Sequence, residues 1–161
     1  MVMRRFFRIA LLVVVLGLLV IMPVQGADPN LIKNGGFEEG FAGGVGLGWA
    51  SFNNGGNCSY GFRSDSWEPT LWDGRTSQLI TIKSGGSDPD RYAGIYQTVA
   101  VAPGATYELS IHGMVRSSEG SVAASGYGYR VQWAIDYNGG TDWQMLEPGA
   151  WHELDWYEWP L

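Results

Sequence analysis

Eight tryptophans stand in a chain of 161 residues, and three of them fall among turn formers and polar residues where an aromatic face stays accessible. Trp67 and Trp72 belong to Ser64-Asp65-Ser66-Trp67-Glu68-Pro69-Thr70-Leu71-Trp72-Asp73-Gly74, and Trp143 follows Asn138-Gly139-Gly140-Thr141-Asp142. A flat indole packs against the C–H-rich face of a sugar ring while neighbouring polar side chains bond the hydroxyls, and loops on a rigid scaffold are where such groups are usually presented. His112, Arg116, Arg130, Gln132 and Asp136 are the polar side chains expected nearby, because alternation puts them on the polar side of two strands. Two readings stay open for each set. The tryptophans either contact a ligand or pin their own loops; the polar side is either the floor of a concave face or an ordinary wet face of an antiparallel sheet.

Catalysis is poorly provided for. His112 and His152 fit no metal-ligand spacing, and no Gly-x-Ser-x-Gly elbow, His-Glu-x-x-His helix or phosphate loop occurs. Glycoside hydrolysis needs two carboxylates about 5–9.5 Å apart across a cleft, and a pair such as Glu153 with Asp155 meets that only by coincidence of folding. The chain therefore reads as a binding protein and not an enzyme, with a secreted hydrolase as the distant third alternative. The oxygen-rich runs Ser64-Asp65-Ser66 and Ser87-Asp88-Pro89-Asp90 offer calcium ligands or are simply solvated.

The elements that must position these side chains are strands. Hydrophobic alternation has period two over residues 93–101, 107–116 and 127–137, and no window carries a sustained helical stripe. In 107–116, Tyr107, Leu109, Ile111 and Val115 share one face, opposite Glu108, Ser110, His112, Met114 and Arg116. In 127–137, Tyr129, Val131, Trp133 and Ile135 oppose Arg130, Gln132, Ala134 and Asp136. Shorter strands are expected at Leu31, Ile32 and Phe37, and over 58–63, 77–83 and 151–156. Trp49, Tyr129, Trp133, Leu154 and Trp156 are expected in the core, where large aromatics supply much of a small domain's buried area.

Glycine, at 24 residues, punctuates the strands with positive-φ turns such as Asn34-Gly35-Gly36, Asn53-Asn54-Gly55-Gly56 and Asn138-Gly139-Gly140. Val101-Ala102-Pro103-Gly104-Ala105-Thr106 reads as a tight hairpin turn between antiparallel strands. Residues 41–57 and 64–74 lack alternation and read as structured loops. The whole is an all-β antiparallel sandwich.

Residues 1–26 stand apart. Arg4, Arg5 and Arg8 precede an apolar run over 9–22 that ends at Pro23, followed by Val24-Gln25-Gly26, which is the layout of a cleaved secretory signal. The apolar run is short of the ~20 residues that span a bilayer. Residues 27–161 then form one exported domain, secreted or held at the cell surface. Without the three leader arginines, 7 basic residues face 16 acidic ones, so a nucleic-acid partner is excluded on charge. Cys58, the single cysteine, is expected to be buried in a strand, and Asn57-Cys58-Ser59 fits the glycosylation acceptor pattern.

Two stretches carry a family likeness. Asn30-Leu31-Ile32-Lys33-Asn34-Gly35-Gly36-Phe37-Glu38 with Gly48-Trp49 resembles the opening of jelly-roll carbohydrate-binding modules attached to bacterial cellulases and xylanases. Ile95-Tyr96-Gln97-Thr98-Val99, through Pro103-Gly104 to Thr106-Tyr107-Glu108-Leu109-Ser110, is similar to their central hairpin. The resemblance implies a galactose-binding-like sandwich, a polysaccharide or glycan site on one sheet face or its rim loops, and often a structural calcium held in part by a glutamate matching Glu38. It also implies a closing strand of the type apolar-Asp-Asp/Asn-Val, which the residues up to Trp159-Pro160-Leu161 do not supply. The sandwich then lacks its closing strands or is completed differently, for instance by a neighbouring domain or subunit.

Overall fold

The structure is a computed structural model that describes residues 30–84, 91–116, 130–147 and 149–154, with the backbone of 157–158. The expected leader over 1–26, Tyr129, Trp156 and the acidic run 87–90 lie outside the described residues. Among the described residues ten strands pair two by two and no α-helix occurs, and the fold is all-β.

β1 (Phe41–Ala42) and β2 (Val45–Gly46) form a tight hairpin over Gly43-Gly44, both with positive φ. Gly44 has no substitute here: a Cβ on it would collide with the Phe62 carbonyl of the neighbouring strand. β3 (Ala50–Asn53) pairs antiparallel with β6 (Ala93–Tyr96). The segment 41–57 is thus not a loop, as its lack of alternation suggests, but carries three short strands.

The longest ribbon is β4 (Cys58–Asp65) against β5 (Ser77–Ser84), in register from Cys58↔Ser84 to Asp65↔Ser77. Tyr60 and Phe62 stand opposite Ile82 and Ile80, aromatic against β-branched, the kind of cross-strand pair that stabilises antiparallel ribbons. Gly61 faces Thr81, whose hydroxyl donates to the Gly61 carbonyl at 3.3 Å. Both strands match the alternation of their sequences. Cys58 opens β4 half-buried, not enclosed as expected.

The C-terminal half departs further from the sequence pattern. Of 107–116 only β7 (Met114–Val115) is paired, and it runs parallel to β10 (Tyr157–Glu158). Of 130–137 only β8 (Gln132–Trp133) is paired, antiparallel to β9 (His152–Glu153). Residues 101–113 run exposed, with Tyr107, Leu109 and Ile111 turned to solvent. The 103–104 turn itself forms as its Pro-Gly pair dictates: the Ala105 N–H donates to the Ala102 carbonyl at 3.2 Å, and Gly104 has φ 76°. Within the described residues it does not join two paired strands.

Leu31, Ile32 and Phe37 do not form a strand. Asn34 and Phe37 take positive φ, and the backbone folds into turns around the Asn34 side chain. Asn34 is only 5% exposed. Its Nδ2 donates to the carbonyls of Gly40 and Leu47, and its Oδ1 accepts the Glu39 N–H. Its own carbonyl accepts from the Phe37 N–H and the Trp49 indole. The side-chain amide and the carbonyl of this buried residue are all used, as the cost of burying an unpaired amide requires.

Apolar burial is shallow throughout. Among the described residues no apolar side chain is fully buried; Trp49, Trp133 and Leu154, expected in the core, are half-buried. Among the described residues the sheets are small two-stranded ribbons.

Candidate functional site

The tryptophan-rich segment after β4 is built before it is chemical. Asp65 turns it: Oδ1 accepts the Trp67 N–H and Oδ2 accepts the Thr70 hydroxyl. A 3-10 turn, Glu68–Thr70, follows, started by Pro69 near its N-terminus. The far end is anchored by Glu38, whose Oε1 accepts the backbone N–H groups of Arg75 and Thr76, both at 2.7 Å, and the Thr76 hydroxyl. Those bonds to backbone N–H, above all from Arg75, hold the Glu38 carboxyl below its ordinary value of 4.5. The Arg75 guanidinium stands 3.7 Å from Oε2.

This anchoring lays the two loop tryptophans against the segment leading into β7. Trp72 stacks on His112, ring centroids 3.8 Å apart and planes inclined by 10°. The Arg116 guanidinium lies 4.7 Å above the Trp67 ring, within cation–π range. Four residues singled out from the sequence therefore meet as two pairs, Trp72 with His112 and Trp67 with Arg116, between the same two segments. Trp72 remains 76% exposed, so one ring face rests on the imidazole and the other is open to solvent. Arg116 makes no hydrogen bond or ion pair among the described residues, leaving its donors for a ligand.

The other candidates fall elsewhere. Trp143 packs between Phe52 (5.3 Å) and Tyr92 (5.6 Å), with Tyr96 beyond Phe52. It is half-buried and joins its own segment to β3 and β6. Arg130 and Gln132 both donate to Glu153 Oε1, at 3.1 and 3.0 Å, across the β8–β9 pair. Asp136 accepts the N–H groups of Asn138 and Gly140 and so organises the 136–140 turn. Glu153 was invisible as a partner in the sequence, since only the register Gln132↔Glu153 brings it there.

Glu38 is the residue that the family likeness matches to a calcium ligand. One of its oxygens is filled by N–H and O–H donors and the other faces a guanidinium, and no group of three or more His, Cys, Asp or Glu suited to a metal occurs among the described residues. That donor set does not fit calcium, which takes 6–8 oxygen ligands. The sequence signal for the actual role, a Glu one turn before a Gly-rich hairpin, does not distinguish loop anchoring from metal binding.

Compared with known proteins, the chain matches no family model, and no curated protein or solved structure shows significant similarity to it. Among the described residues no helix is long and apolar enough to cross a membrane.

Proposed function

We propose that this chain is an exported, non-catalytic carbohydrate-binding module of the jelly-roll, galactose-binding-like kind, and that it holds a poly- or oligosaccharide on the Trp67–Trp72–His112–Arg116 surface. The observation that carries the reading is the open face of Trp72, backed by His112, with the Arg116 guanidinium over the ring of Trp67 in the same loop. A sugar ring stacked there removes C–H and indole surface from water, while Arg116 donates to hydroxyls at the ring edge. The motif likeness of residues 30–38 and 95–110 supports the same class. Calcium has no part in this reading.

The test is a glycan array probed with the exported chain, followed by titration of any hit against Trp72→Ala. Binding that this substitution abolishes supports the proposal. Binding that survives it, or no binding to any glycan by a folded protein, rejects it.

One observation favours a second reading, a structural or adhesive surface module that packs against another domain or subunit. No apolar side chain among the described residues is fully buried, and Tyr107, Leu109 and Ile111 line one side of an exposed, unpaired extended segment. Such an edge is open to an added strand. Sedimentation of the exported chain distinguishes the two: a monomer that binds glycan supports the first reading, an obligate assembly without glycan affinity the second.

A further inference from the structure

A groove of about 490 Å³ lies between the end of β8 with its following turn and the stretch from Met145 to His152. Its size falls within the ~300–1,000 Å³ usual for small-ligand sites. It shares no lining residue with the Trp67–Trp72 surface.

Its chemistry is one-sided. Trp133 and Tyr137 contribute aromatic faces, and Asp136 and Glu147 contribute carboxylates, with no Lys or Arg among the lining residues. Trp133 is steadied by His152, ring centroids 4.7 Å apart, while Tyr137 is 91% exposed. Aromatic faces beside negative charge attract a cation. The Asp136 oxygens already accept two backbone N–H bonds, so this carboxylate supplies charge more than open acceptor sites. A primary ammonium needs several acceptors to replace its hydration; a quaternary ammonium needs only charge and polarisable faces.

We propose that this groove binds a small organic cation bearing a quaternary ammonium head. The cation sits between Trp133 and Tyr137, with Asp136 and Glu147 balancing its charge. The site is independent of the saccharide surface, so either can fail without the other.

The experiment titrates the full exported chain with choline, with its neutral isostere 3,3-dimethyl-1-butanol and with ethanolamine, reading tryptophan fluorescence and the NMR signals of the Trp133 and Tyr137 rings. Choline is expected to bind about ten-fold or more tighter than the neutral isostere and tighter than ethanolamine. Glu147→Gln and Tyr137→Ala, both at exposed positions, should each weaken choline about three- to ten-fold, and Glu147→Gln should leave the isostere's affinity unchanged. Equal binding of choline and isostere, choline binding untouched by both substitutions, or no binding at all would overturn the proposal. Near-ultraviolet circular dichroism of each variant shows whether a loss reflects the groove or a failure to fold.

Discussion

The side chain of Gln97 pairs with the backbone of Lys33 in both directions. Its Oε1 accepts the Lys33 N–H at 2.8 Å, and its Nε2 donates to the Lys33 carbonyl at 3.0 Å and to the Gly48 carbonyl at 2.9 Å. An amide thereby does what a neighbouring strand would do, and it ties together two segments 64 residues apart. Those are the two segments whose motifs suggested a family. Gln78 acts similarly on the β1–β2 hairpin: Oε1 accepts the Gly46 N–H at 2.9 Å, and Nε2 donates to the Gly44 carbonyl at 3.0 Å.

Gln97→Ala should therefore cost about 1–2 kcal/mol, since three hydrogen bonds go and backbone groups of Lys33 and Gly48 lose a partner in a partly wet setting. Gln97→Glu should be no better, because a carboxylate oxygen then faces two carbonyls. Urea denaturation followed by fluorescence reads both; midpoints equal to that of the unaltered chain would show that the two segments are held by something else.

Trp72 and Trp143 should separate cleanly. Trp72→Ala is expected to lower glycan affinity at least about ten-fold, equivalent to ~1.4 kcal/mol, with little change in stability, because its ring is mostly exposed. Trp143→Ala should cost about 1–3 kcal/mol of stability through lost packing on Phe52 and Tyr92, while affinity at saturating folded protein stays the same. Paired melting and binding curves for the two variants check this, and a reversed pattern would move the site to Trp143.

Acid should loosen the Trp67–Trp72 loop. The folded-state pKa of Glu38 is depressed, so its contribution is present above the unfolded value near 4.5 and is lost as pH falls through the lower folded value. Melting temperature measured from pH 7 down to about pH 3 should drop more steeply for the unaltered chain than for Glu38→Gln, which has no proton to bind there. Parallel profiles would show that the carboxylate does not anchor the loop.

Chelator should leave both the melting temperature and glycan affinity unchanged, because Glu38 spends its oxygens on N–H and O–H donors and a guanidinium. A fall in melting temperature with chelator, reversed by calcium, would reveal a metal held by other residues.

Local signals were readable where local chemistry decides. Pro103-Gly104 makes its turn, the alternation of 58–63 and 77–83 makes β4 and β5, and the all-β character follows from period-two patterning with glycine punctuation. The tryptophans of 64–74 were recognisable as a presented pair for the same reason: polar turn formers around an indole keep it near solvent. Alternation over 107–116 and 130–137 promised longer strands than form among the described residues, since period two states only that an extended segment has an apolar side, and pairing needs a partner in register.

Which polar groups are free and which are spent depends on contacts between segments far apart in the chain. Arg116, Arg130 and Gln132 look equivalent in the sequence. Yet the β8–β9 register commits Arg130 and Gln132 to Glu153, and Arg116 is left over Trp67. Glu38 likewise becomes a loop anchor only because residues 75–76 arrive with their N–H groups pointing at it. Side-chain type sets what a residue can bond and spacing sets which side of a strand it takes. The bond it actually makes is chosen by the fold, because a hydrogen bond extends about 3 Å and depends on the partner that packing brings within that reach.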